Sequence, residues 1–119
     1  MKIVPFVFVV VVMGLSSCSK RSSRPEGILS RQDMVKVLSE VYITEEKVKR
    51  LGVARDSSMK VFSDMRVMIF EKYAVSDSAF KRSLDYYWNR PEEMEEIYTA
   101  LIDTLNLREQ RQSLQPTPQ

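Results

Sequence analysis

The sequence predicts an all-α domain, a small bundle of about four helices behind an N-terminal export segment. Three observations predict it. From Ile28 to Glu109 only Gly52 and Pro91 supply the usual chain-turning residues. Apolar side chains recur there at helical spacing, every third or fourth position. Serines and a proline stand where helices would begin, and basic residues stand where they would end. The predicted organisation is an export signal over 1–17, a tether over 18–27, the helical domain over 28–109 and a disordered tail over 110–119.

Helix one opens at Ser30, a side chain able to cap the first free N–H groups, with Asp33 three positions on and Leu29 and Met34 as a hydrophobic staple. Met34, Leu38, Val41 and Val48 fall within about 80° of one another on the helical wheel. Lys47, Lys49 and Arg50 suit the negative end of the helix dipole, and Gly52 suits the residue just past the end. Asp56 or Ser57 can cap helix two, which runs to about Tyr73 with Val61, Phe62, Met65, Met68, Ile69 and Tyr73 as its core face. A methionine stripe fits either a plain core or an adaptable binding groove.

Ser76 caps helix three, with Val75 and Phe80 at the staple positions. Phe80, Leu84, Tyr87 and Trp88 span about 100° and form its buried face. Tyr86 falls outside that arc, so it is the aromatic without a structural role and a candidate partner-binding residue. Pro91 stops helix three and suits the first turn of helix four. Glu92, Glu93, Glu95 and Glu96 answer the positive end of that helix, and Met94, Ile97, Tyr98, Leu101, Ile102 and Leu105 form its apolar stripe. The two prolines in QRQSLQPTPQ predict a disordered end to the chain.

The start of the chain carries the most specific signal. Lys2 precedes an apolar run from Ile3 to Leu15, shorter than the roughly 20 residues that cross a bilayer. This is the layout of a secretory signal. Leu15-Ser16-Ser17-Cys18 resembles the bacterial lipobox. The resemblance implies cleavage before Cys18 and acylation of its sulfur, the lipid attachment site. Cys18 is the one cysteine, so no intrachain disulfide forms. Ser19-Lys20-Arg21 is basic, whereas surface-export signals in the lipoproteins of this kind are acidic. That implies a membrane anchor facing the periplasm of a bacterial cell envelope.

Chemistry finds little to use. There is no histidine, which removes the usual general base and the commonest transition-metal ligand. The glycines stand alone at 14, 27 and 52, so no phosphate-cradling loop exists. With 18 basic and 16 acidic residues the chain has no global pull toward nucleic acid. No catalytic set, no metal site and no cofactor is expected. Glu45 is the conspicuous carboxylate: it interrupts helix one's apolar arc between Val41 and Val48, where an unpaired charge is costly. It either pairs, with Arg66 as the candidate, or faces a groove and binds a partner.

LSEVYITEE (38–46), FEKYAVSDSAFKRSLDYY (70–87) and RPEEMEEIY (90–98), together with the lipobox, resemble the small lipoproteins of the domain of unknown function 4296 family. Glu40, Glu45, Lys72, Tyr73, Ser76, Phe80, Ser83, Tyr86, Tyr87, Pro91, Glu92, Ile97 and Tyr98 carry the match. Ala74 stands where the family pattern has glycine, which implies a looser turn between helices two and three. The stretch KYAVSDSAF also looks like a helical step in periplasmic SurA-type chaperones. Two roles follow as expectations. One is a non-catalytic protein-interaction module held at the membrane; the other is a holder of unfolded exported chains, with Met65, Met68 and Tyr86 near its groove.

Overall fold

The computed structural model describes residues 23–114. The export segment, Cys18 and the end of the expected tail lie outside the described residues. Four helices follow one another: α1 (Arg31–Arg50), α2 (Arg55–Lys72), α3 (Asp77–Trp88) and α4 (Pro91–Ser113). There is no strand among the described residues.

The expected starts of α1 and α3 are made as the sequence predicts. Ser30 Oγ accepts from the Asp33 N–H at 3.0 Å and donates to the Asp33 carboxylate at 2.6 Å. Ser76 Oγ accepts from the Ala79 N–H at 3.1 Å. Pro91 is the first residue of α4, and Gly52 takes the left-handed φ of +63° just past α1. The start of α2 differs. Its N-cap is Ala54, with no side-chain hydrogen bond, and Asp56 and Ser57 lie inside the first turn. At the other end, α4 continues to Ser113, past the boundary expected at residue 109.

The turn between α2 and α3 is tight although it lacks glycine. Ala74 itself adopts φ +52°. Val75 N–H bonds to Phe70 C=O at 2.9 Å and Ala74 N–H to Glu71 C=O at 3.1 Å. This nested pair of bonds satisfies the last carbonyls of α2, at the expense of left-handed strain on an L-residue. The looser turn implied by the missing glycine is not what forms.

α1 is the central helix, packed against both α2 and α4, and α3 packs on α4. Arg31 pairs with Glu96 and Glu40 pairs with Arg108, so α1 and α4 run in the same sense. The main core joins Met34, Leu38, Tyr87, Met94, Ile97 and Leu101. A smaller one joins Val37, Ile69 and Phe70, with the Phe80 ring 5.2 Å from that of Phe70.

Four expected core positions are exposed: Met68, Trp88, Tyr98 and Ile102. Trp88, the last residue of α3, is 71 % exposed, whereas Tyr86 is half-buried against the main core. Met68 is exposed and Phe70 takes its place inside. Tyr86, not Trp88, is therefore the packed neighbour of Tyr87.

Candidate functional site

The polar chemistry of the domain collects at two places. At the first, the segment before α1 is fastened to α3. Pro25 C=O accepts from Ile28 N–H at 3.3 Å, closing a turn whose third residue, Gly27, has φ +80°, the conformation that favours glycine. Leu29 N–H then donates to Ser83 Oγ at 2.8 Å, and Ser83 in turn donates to Ala79 C=O at 2.7 Å. Tyr87 donates to Leu29 C=O at 2.8 Å. Ser83 and Tyr87 are fully buried one helical turn apart, so together they hold both backbone groups of Leu29. Burial, the largest influence, raises the Tyr87 phenol above its ordinary value, and it stays a hydrogen-bond donor.

At the second place Glu40, with 21 % of its side chain exposed, joins three helices. Its Oε1 accepts from Arg108 at 2.9 Å and from the Tyr73 hydroxyl at 3.3 Å, and Lys72 Nζ lies 3.7 Å away. Burial acts against the charged carboxylate. The Arg108 hydrogen bond and the charges of Arg108 and Lys72 outweigh it and hold the group below its ordinary value. The charged form of Glu40 is thereby built into the α1–α2–α4 junction.

The candidate residues fall elsewhere. Glu45 keeps 46 % of its side chain exposed and pairs with Lys49 on its own helix at 3.1 Å. Arg66, its expected partner, instead lies over the Phe70 ring and pairs with Asp77 at 3.3 Å. Tyr86 packs edge-on against Tyr87, with centroids 5.1 Å apart, and Arg90 covers its other side at 3.6 Å. Neither residue is left without a partner, and the structure does not bring them together. Cys18 lies outside the described residues.

Sequence reasoning passed over Glu40 as one acid among several. The available signal was Lys72-Tyr73, a donor pair ending α2, but a hydrogen bond across 33 residues has no periodicity to reveal it. It also passed over Tyr42, exposed on α1 with its phenol raised, first by burial and then by neighbouring Tyr98 of α4. An open cleft of about 470 Å³ lies between the fastened segment and the α2–α3 turn, lined by Leu29, Val37, Tyr73, Val75 and Ala79 among others. No group of three or more acidic or thiol side chains able to hold a metal occurs among the described residues.

Fold and site together define an all-α domain in which buried Ser83 and Tyr87 fasten the N-terminal segment and partly buried Glu40 joins three helices. The chain belongs to the Domain of unknown function (DUF4296) family, whose sequence profile matches residues 25–111. The match begins at Pro25, where the fastened turn begins, so that turn is part of the domain. No curated protein and no solved structure matches the chain.

Proposed function

We propose that this protein is a lipid-anchored, non-catalytic interaction module of the bacterial cell envelope, attached through acyl chains on Cys18 and facing the periplasm. The observation that carries the reading is Leu15-Ser16-Ser17-Cys18 closing a short apolar run behind Lys2. Two or three acyl chains hold a protein on a bilayer stably, at about 0.8 kcal/mol per buried CH₂. The fastened turn supports the reading from the other side. It starts at Pro25, and the seven residues from Cys18 span at most about 25 Å when fully extended. A domain on so short a link stays close to the surface and to its neighbours there. The exposed Trp88, Tyr42 and Ile102 are the aromatic and aliphatic groups such a neighbour would cover.

A holder of unfolded exported chains is the second reading, supported by the exposed Met59, Val67 and Met68 along α2. Tyr86 drops out of that groove, since Arg90 covers it. The test is expression of the full chain in a diderm bacterium, followed by mass spectrometry of the membrane fraction. The proposal expects loss of residues 1–17 and the added mass of a diacylglycerol on Cys18, both abolished by Cys18→Ala. Retention of the first 17 residues, or an unmodified thiol, would contradict it. Crosslinking of the same cells separates the two roles: one stoichiometric partner for a module, many exported chains for a holder.

A further inference from the structure

The α1–α2 corner breaks several local rules at once. The start of α2 has no side-chain cap, because Ala54 occupies the N-cap. Arg55 is the first residue of that helix, a cation at the positive end of the dipole beside Asp56, the one acid of the first turn. Leu51, Val53 and Met59 are 57 %, 46 % and 61 % exposed. Around them Lys47, Lys49, Arg50, Arg55 and Lys60 are all exposed, and Asp56 is the single acid between residues 47 and 60. Lys49 pairs with Glu45. The other four cations have no ion-pair partner among the described residues. The dipole of α1 accounts for its last-turn lysines and arginine. It does not account for Arg55, Lys60 or the three aliphatic side chains. Breaches of local preference that stability does not repay mark functional surface.

We propose that this corner docks on an anionic lipid surface, with Leu51, Val53 and Met59 entering the headgroup boundary and the cations meeting lipid phosphates. Each Lys or Arg near such a surface adds to the attraction, and apolar side chains accompanied by cations are the composition of interfacial segments. Nucleic acid would answer the cations and leave three aliphatic side chains in water. An acidic protein face would have to offer a matching apolar recess to a projecting helical corner, whereas a bilayer interface deforms around it. The inference concerns the folded corner and does not require acylation of Cys18.

The test uses the full chain carrying Cys18→Ser and Ser57→Cys, with an environment-sensitive fluorophore on residue 57. Removing Cys18 takes the acyl anchor out of the experiment, so failure of the anchor reading and failure of this one are separate results. Vesicles of phosphatidylcholine, with or without phosphatidylglycerol, are the probe. The expected result is a blue shift, with quenching from the acyl region, only when phosphatidylglycerol is present, and its loss at high salt. Lys49→Glu/Arg50→Glu/Arg55→Glu should abolish the shift with helix content unchanged by circular dichroism. Lys47→Gln/Lys60→Gln, which keeps good helix formers, should weaken it in the same direction. An equal response to both vesicle types, a shift surviving the charge changes, or a shift given by duplex DNA or polyglutamate but not by vesicles would overturn the proposal.

Discussion

The two ends of α1 are held in opposite ways. At its N-terminal end, Leu29 is gripped by Ser83 and Tyr87, and Met34 sits in a core with Tyr87, Met94 and Ile97. At its C-terminal end, α2 starts without a cap, and its two buried residues, Ile69 and Phe70, both lie near its far end. The first half of α2 contributes no buried side chain, only partly buried ones such as Val61 and Phe62. The fastened end uses polar side chains to lock the backbone, while the corner leaves apolar and basic side chains to solvent. Local stability follows buried apolar contact and protected hydrogen bonds, so the two ends open at different free energies. Rigidity sits where the chain enters from the proposed anchor, and exposure sits where the proposed lipid contact lies.

The comparison breaks most sharply at Tyr87. Tyr87→Ala removes a fully buried ring and the bond to Leu29 C=O together, and costs about 3–5 kcal/mol in urea unfolding. Met68→Ala on exposed α2 surface serves as the control and stays within about 0.5 kcal/mol.

Ser83→Ala is the next largest. It leaves the partly buried Leu29 N–H without its acceptor and costs about 1–3 kcal/mol. A crystal structure or amide exchange of the variant should show the segment 25–29 loosened and α2 unaffected.

Glu40 gives the comparison a pH dependence. Its folded-state value lies below the ordinary 4.5, so its contribution is complete above that ordinary value and is lost as pH falls through the folded value. Glu40→Gln should cost about 1–2 kcal/mol at neutral pH and flatten the acid limb of a stability-versus-pH curve. An unchanged acid limb would remove Glu40 from the set of stabilising groups.

The smallest effect has the opposite sign. Ala74 holds φ +52° between α2 and α3, so Ala74→Gly relieves left-handed strain and stabilises by about 0.5–1 kcal/mol. Thermal unfolding followed by circular dichroism should show a small rise in midpoint.

Caps and breakers were legible in the sequence because they act within a few residues. Ser30, Ser76, Gly52 and Pro91 do what local chemistry requires of them. Faces were less legible. An arc over Phe80, Leu84, Tyr87 and Trp88 leaves Ser83 as polar surface, but Ser83 is completely buried, its hydroxyl serving a backbone group 54 residues away. Moving the arc onto Ser83 and Tyr87 brings Tyr86 in and leaves Trp88 out at the helix end. On α1, Glu45 lies on the wheel between buried Met34 and Leu38, yet it keeps 46 % of its side chain exposed and is satisfied by Lys49 on its own helix. The Ala54 start of α2 was illegible for a different reason, since a capping side chain was assumed where none is used. At α3 long-range hydrogen bonds to Leu29 set the buried face, and hydropathy does not record them.

The claim that one end is locked and the other open is tested most directly by hydrogen exchange resolved along the chain under native conditions. The account predicts protection near the global unfolding limit for the Leu29 amide and for α4 through Leu101. It predicts distinctly faster exchange over residues 55–66. Equal protection of both ends, or a Leu29 amide that exchanges ahead of the first half of α2, would contradict it.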